Sequence, residues 1–133
     1  MAKERNPAVI AVEEHFMEPS LAQHLGKAAS PPAFVSERLY DFFDLRIAEM
    51  DAAGIDMQIL SHQSPGSQRL PDDVAVEACR AVNDALAVVI AERTSRFNGL
   101  AMLPTNMPED AVDELSRSVL EKGLKGAMVH GLN

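Results

Sequence analysis

Short apolar strands alternate with helical segments along this chain, and that order limits the folds open to it. Residues 8–12 form a β-branched apolar run between Pro7 and a charged segment, which is typical of a strand buried on both faces. Similar runs recur, so the predicted strands span about 8–15, 55–61, 97–103 and 124–130. Strands that alternate with helices form parallel sheets through right-handed crossovers. The sequence therefore predicts one α/β domain over residues 1–133 with the parallel order βαβαβαβ.

Hydrophobic periodicity places helices between these strands. One helix is predicted over about 38–53, and Gly54 would end it. Its apolar face carries Leu39, Phe43, Ile47 and Met50. A long helix is predicted over about 72–93, with Cys79 in the core, and a further helix begins at Pro108. The buried stripe expected on that last helix consists of Val112, Leu115 and Val119.

The charge balance and the single cysteine restrict partners and compartment. Twelve Lys+Arg against twenty Asp+Glu give a net charge of −8, which disfavours nucleic acids and anionic membranes as partners. Cys79 is the only cysteine, so no internal disulfide forms and a reducing compartment fits. Residues 1–7 lack the apolar segment of a secretion signal, and no run reaches the roughly 18 apolar residues of a membrane span. These features predict a cytoplasmic protein.

Metal-ligating side chains follow the first predicted strand. Parallel α/β folds bind ligands at the carboxyl ends of their strands, and this strand ends in Glu13, Glu14 and His15. Regular alternation would place Glu13 and His15 on one face, where a carboxylate and an imidazole can bind the same divalent ion. A solvated strand end without a ligand is the alternative that these residues leave open.

Polar residues also follow the second and fourth predicted strands. His62 and Gln63 come after the second strand and His130 ends the fourth, so these three are candidates for lining a substrate pocket. The ordinary polarity of loops is the alternative explanation. The chain has no Gly-x-Ser-x-Gly, no Cys-x-x-Cys and no glycine-rich phosphate loop, so a hydrolase triad, a thiol redox site and a nucleotide site are not indicated.

Several motifs in a fixed order carry a family resemblance that extends from residue 9 to residue 131. The first is the segment 9–16, which contains Glu13-Glu14-His15. The others are Asp44-Leu45-Arg46, residues 50–56, Ile59-Leu60-Ser61, Asn83-Asp84, Ala91-Glu92-Arg93, Arg96-Phe97, Leu103-Pro104, Glu114-Leu115 and residues 123–127. Together they resemble the metal-dependent decarboxylases related to the amidohydrolases.

The resemblance implies a (β/α)₈ barrel of which this chain is the N-terminal half. A divalent metal, Zn²⁺ or Mn²⁺, would sit at the barrel mouth with Glu13 and His15 as two of its ligands. The family takes a further His from about strand five and a proton-donating Asp from strand eight, so no catalytic residue is expected within this chain. The implied reaction is the non-oxidative decarboxylation of a hydroxylated aromatic or enol-type carboxylate, and the chain alone is expected to be inactive. Gln63 and His130 stand where the family often has Asn, which leaves the substrate open.

Two other functions remain open at this stage. A hydrolase of the same superfamily would use its metal to activate water, but such relatives commonly begin with His-x-His, where this chain has Glu13 and His15. A non-catalytic α/β module would instead bury its open strand edges by association. The expected partners are therefore a small carboxylate substrate and either a second copy of the chain or a complementary C-terminal half.

Overall fold

The computed structural model describes residues 8–25, without the side chain of Leu25, and residues 31–131. The expectation stated for residues 1–7 lies outside the described residues. The elements run in the order β1 (Ile10–Phe16), α1 (Pro19–Leu25), α2 (Ala33–Tyr40), α3 (Leu45–Ala53), β2 (Met57–His62), α4 (Asp72–Glu92), β3 (Phe97–Gly99) and α5 (Pro108–Leu120). The predicted α/β class is confirmed.

The three strands form a parallel sheet in the order β1-β2-β3. The predicted fourth strand over 124–130 is reduced to one parallel bridge between Ala101 and Ala127, and the third strand ends at Gly99 rather than at residue 103. Ala101 still exchanges backbone hydrogen bonds with Gly126 and Met128 at 2.8 and 3.0 Å. Beyond it, the side-chain amide of Asn83 bonds the backbone N–H and C=O of Met102 at 2.8 and 2.9 Å, so α4 and not a strand pairs with those two groups.

The single helix predicted over 38–53 is wrong, because the structure has two helices there. Asp41 adopts an extended conformation after α2, and its carboxylate accepts the Arg46 backbone N–H at 2.8 Å near the start of α3. The expected end at Gly54 is confirmed: this residue has φ +71° and donates to the carbonyls of Asp51 and Met50. Leu39 in α2 and Met50 in α3 are nevertheless both buried, as the apolar periodicity predicts.

The inward face of α5 also differs from the predicted stripe. Val112 and Val119 are exposed, whereas Glu114 is buried. The Glu114 carboxylate accepts hydrogen bonds from Asn83 at 2.7 Å and from Arg117 at 2.8 Å, which compensates its burial. A buried polar network therefore joins α5 to α4, and two valines are left on the outside.

Cys79 lies in the core, as predicted, in contact with a cluster that α4 and the sheet build together. Burial raises the pKa of its thiol to about 11. Within residues 8–25 and 31–131, no helix is long and apolar enough to cross a membrane.

Candidate metal centre

A bulge at the end of β1 sets the position of the first candidate ligand. Ala11 pairs with Gln58 and Glu14 pairs with Leu60, so a step of three residues in β1 faces a step of two in β2. Glu13 lies within this bulge and has φ +60°, a left-handed conformation that is unfavourable for a residue with a Cβ. The regular alternation expected from Glu13 to His15 is therefore interrupted at Glu13. Outliers of this kind concentrate at functional sites.

His15, the second candidate ligand, is held by two neighbouring elements. Its Nδ1 lies 3.0 Å from the hydroxyl of Ser61, its cross-strand partner in β2. Its backbone carbonyl accepts a hydrogen bond from the Arg46 guanidinium at 2.8 Å. Within the described residues, its Nε2 has no hydrogen-bond partner. This is the ring nitrogen that remains for a ligand.

Arg46 is a residue that sequence reasoning missed as part of this site. Its guanidinium is buried, and it also donates to the backbone carbonyls of Arg38 and Asp41 and to the side chain of Gln58. It thereby joins the end of α2, the start of α3, β1 and β2. A cavity of about 370 Å³ adjoins it and is bordered by Glu14, His15, Leu39, Met50 and Gln58 among others. The available signal was the motif Asp44-Leu45-Arg46.

His62 is placed in the core and not in an open pocket. Its side chain is 2% exposed and packs edge-on against Phe16. The Nδ1 donates to the backbone carbonyl of Gln63 at 2.9 Å, and the Nε2 accepts the backbone N–H of Glu18 at 3.2 Å. Burial lowers the pKa of His62 to about 4, so the ring is neutral and both of its nitrogens are used by the fold.

His130 is brought close to His15, with 6.1 Å between the ring centroids. The Nε2 of His130 donates to the backbone carbonyl of His62 at 3.0 Å, and the His130 carbonyl accepts from Gln68 at 2.8 Å. These two bonds hold His130 against the end of β2 and the loop that follows it. Because Nε2 carries the proton, Nδ1 is the nitrogen with a free lone pair.

Gln63 is anchored through its backbone N–H, which donates to the carbonyl of Phe16 at 3.0 Å. Its side-chain oxygen is buried and has no hydrogen-bond partner among the described residues. A buried acceptor of this kind carries a desolvation cost until something donates to it. It therefore offers a place for a donor that the described residues do not supply.

The donor chemistry at the end of β1 suits a divalent ion but is incomplete. A carboxylate and an imidazole are ordinary ligands for Zn²⁺ and Mn²⁺. Across residues 8–25 and 31–131, no group of three or more His, Cys, Asp or Glu side chains is arranged to hold a metal. Glu13 and His15 fit the ion as a partial set that needs ligands from elsewhere.

Comparison with known proteins identifies the family. The amidohydrolase family model matches residues 10–132. The chain belongs to the amidohydrolase family. A γ-resorcylate decarboxylase from Rhizobium sp. is 40% identical over 128 residues, which is 93% of this chain. The family resemblance described from the motifs is thereby confirmed.

Solved structures agree with this assignment. A 2,6-dihydroxybenzoate decarboxylase in complex with 2,6-dihydroxybenzoate superposes with a TM-score of 0.85 and 37% identity over 95% of this chain. A dihydroxybenzoic acid decarboxylase from Polaromonas sp. JS666, with bound manganese and the inhibitor 2-nitroresorcinol, gives a TM-score of 0.84 and 38% identity over 93% of this chain. The parallel sheet and its helices are thus the architecture of part of an amidohydrolase-type (β/α)₈ barrel.

The matches cover nearly all of this chain but less than half of each relative. The chain spans 39% of the length of the Rhizobium protein, and 40% and 38% of the two solved chains. A share of that size agrees with the N-terminal portion that the motifs imply.

Proposed function

We propose that this chain is the N-terminal portion of a metal-dependent decarboxylase that acts on a hydroxylated aromatic carboxylate. The 40% identity to a γ-resorcylate decarboxylase over 93% of this chain carries the proposal. The family match over residues 10–132 includes Glu13 and His15 at the end of β1. Loss of CO₂ without oxidation is the reaction class, and the chain alone is inactive because its ligand set is incomplete.

Glu13 and His15 are the proposed metal ligands in this chain. The carboxylate of Glu13 is exposed, and His15 keeps its Nε2 free, so both present a donor atom. The proposed ion is Mn²⁺ or Zn²⁺, and bound manganese in the Polaromonas relative favours the first. Such an ion supplies positive charge that orients the oxygens of a substrate and stabilises developing negative charge.

The proposed contribution of His130 and Gln63 is to substrate binding. His130 offers its Nδ1 lone pair, which accepts a hydrogen bond from a hydroxyl group. The buried oxygen of Gln63 is a second acceptor without a partner among the described residues. Two acceptors match a substrate that carries hydroxyl groups beside its carboxylate. The buried His62 contributes its backbone carbonyl, which holds His130.

A chimera tests the proposed reaction. Residues 8–131 replace the matched portion of the Rhizobium γ-resorcylate decarboxylase, and CO₂ release from 2,6-dihydroxybenzoate is measured with added Mn²⁺. We expect metal-dependent turnover that Glu13→Gln lowers by at least about 100-fold, since even residues that only support a ligand contribute roughly 10–100-fold. Glu109→Gln, which removes an exposed carboxylate on α5, is the matched control. Ester or lactone hydrolysis without CO₂ release, or full activity in Glu13→Gln, would contradict the proposal.

Two uncovered apolar surfaces indicate where a partner adds. At the edge of β1 that pairs with no strand among the described residues, Ile10 and Val12 are 55% and 66% exposed. On the outer side of α5, Val112 and Leu120 are 63% and 82% exposed. We propose that the complementary C-terminal portion of the protein covers both, and that the chain alone forms oligomers through them. Light scattering after size-exclusion chromatography should show self-association that Val12→Glu reduces, and a monomer at all concentrations would argue against it.

We also propose that the protein works in the cytoplasm, since Cys79, the only cysteine of this chain, is a buried free thiol. Cell fractionation of the producing organism tests this, and recovery in an extracytoplasmic fraction would contradict it.

A further inference from the structure

Ser61 is a fully buried residue beside the proposed metal ligand. It stands in β2 directly across from His15, and 0% of its surface is exposed. Its hydroxyl lies 3.0 Å from Nδ1 of the His15 ring. A buried hydroxyl needs a hydrogen-bond partner, and the imidazole is the partner that the structure provides.

The contact occupies Nδ1 of His15 in either tautomer and leaves Nε2 as the nitrogen that can face a ligand. With the proton on Nδ1, the ring donates to the Ser61 oxygen and Nε2 keeps a free lone pair. With the proton on Nε2, the serine hydroxyl donates to Nδ1 and no lone pair remains for an ion. A hydroxyl group serves in both states because it can donate and accept. The ring plane is therefore held in place whichever tautomer is present.

We propose that Ser61 is a positioning residue for metal binding: it orients the His15 ring and accepts a hydrogen bond from its Nδ1–H so that Nε2 faces the ion. This inference rests on the proposed ligand role of His15. The hydrogen-bond partner of a ligating imidazole fixes the ring's orientation and raises its basicity, and losing such a partner lowers metal affinity by roughly 10–100-fold. Ser61 contacts no metal itself.

A purely structural role for Ser61 predicts something different. A serine that only fills space and satisfies its own hydroxyl would affect folding stability without changing the His15 tautomer or the affinity for an ion. Two measurements on the 133-residue chain separate these roles: the protonation of the His15 ring and the affinity for Zn²⁺. No catalytic activity is needed for either measurement.

The first measurement is the His15 tautomer by long-range ¹H–¹⁵N NMR on Zn²⁺-loaded chain. We expect the Nδ1-protonated form, with an Nδ1 proton protected from solvent exchange. In Ser61→Ala that protection should be lost while the amide exchange of the core strands is retained. A Zn²⁺-loaded wild-type chain with the proton on Nε2, or an unchanged ring spectrum in Ser61→Ala, would overturn the inference.

The second measurement is Zn²⁺ affinity by NMR titration. We expect Ser61→Ala to raise the dissociation constant by roughly 10–100-fold, and Ser61→Thr to stay within about threefold of wild type because it keeps the hydroxyl. Ser118→Ala is the matched control, since Ser118 is also 0% exposed but donates to Glu114 within α5. If the added volume matters, Ser61→Thr and Ser61→Val form a pair of equal size that differs only in the hydroxyl.

The outcomes separate this inference from the proposed function. Loss of Zn²⁺ binding in His15→Ala together with unchanged binding in Ser61→Ala overturns the role of Ser61 and leaves the ligand assignment intact. Unchanged binding in His15→Ala overturns both. Weakened binding in Ser61→Ala and Ser61→Val, with Ser61→Thr and Ser118→Ala near wild type, supports the positioning role.

Discussion

Replacing His62 with glutamine should remove a pH-dependent part of the folding free energy. The buried ring donates to the carbonyl of Gln63 and accepts the backbone N–H of Glu18 in its neutral form. Protonation would turn the accepting nitrogen into a donor facing another donor. Burial accordingly lowers the pKa of His62 from 6.5 to about 4.

The direction and the magnitude of this pH dependence follow from the linkage between proton binding and folding. The unfolded chain takes up this proton as the pH falls through about 6.5, whereas the folded chain takes it up only near 4. The contribution of neutral His62 is therefore fully present above about pH 6.5 and is lost progressively as the pH falls toward about 4. The difference between the two pKa values corresponds to about 3 kcal/mol of unfolding free energy.

Urea unfolding followed by circular dichroism between about pH 7 and pH 4.5 measures this effect. At neutral pH, His62→Gln should be less stable than wild type by about 1–2 kcal/mol, because glutamine restores the two hydrogen bonds imperfectly. That deficit should shrink and then reverse as the pH falls, since glutamine does not titrate. His24→Gln, which changes an exposed histidine on α1, is the control and should keep the wild-type slope. Parallel pH curves for wild type and His62→Gln, or an NMR titration of the His62 ring near its ordinary pKa, would refute the reasoning.

Three further variants test the packing and the backbone around the site. Gly99→Ala should destabilise the chain by about 1–3 kcal/mol in urea unfolding, because its Cβ would lie 2.7 Å from Leu86, and an unchanged midpoint would contradict that packing. Asn83→Leu should cost about 2–4 kcal/mol by thermal unfolding, since it leaves the Met102 amide and Glu114 without their partner, and a loss below about 1 kcal/mol would count against the network. Glu13→Gly should be more stable than Glu13→Ala by about 1 kcal/mol, because glycine accepts φ +60° without strain, and equal stabilities would argue against a left-handed Glu13.

Patterns that depend on burial alone predicted the elements well. The long helix α4 was expected over about 72–93 and spans Asp72–Glu92, and β2 was expected over 55–61 and spans Met57–His62. Both are amphipathic or apolar segments bounded by turn residues, so local sequence determines them. Gly54 ended its helix as expected for the same reason.

Features set by single polar side chains were not predicted. Asp41 accepts the Arg46 amide where one expected helix is divided into two, and Asn83 bonds the Met102 backbone beyond the end of β3. Glu114 occupies the inward face of α5, where hydrophobic periodicity predicted valines. In each case, the deciding hydrogen bond joins residues that are distant or unremarkable in sequence. Hydrophobic periodicity carries no information about such bonds.

The sequence likewise predicts some features of the candidate site and not others. The residue types at the end of β1 were sufficient to select Glu13 and His15, whose ligand role stays a prediction. Regular alternation of strand side chains does not predict the bulge that places Glu13 at φ +60°. Of the three pocket candidates, His62 turned out to be buried and fully bonded, since nothing in sequence distinguishes a core histidine from one that lines a pocket.

The incomplete ligand set and the uncovered surfaces point to the same kind of neighbour. A second copy of this chain could cover the edge of β1, but it would bring another Glu13 and His15 in place of the missing donors. A complementary portion of the barrel would cover β1 and α5 together and would supply different side chains. A two-ligand ion site binds weakly, so ligands from such a portion should raise Mn²⁺ affinity and chain stability together, because binding to the folded state adds to its stability. Stronger metal-dependent stabilisation of the chimera than of the chain alone is the result that this coupling requires.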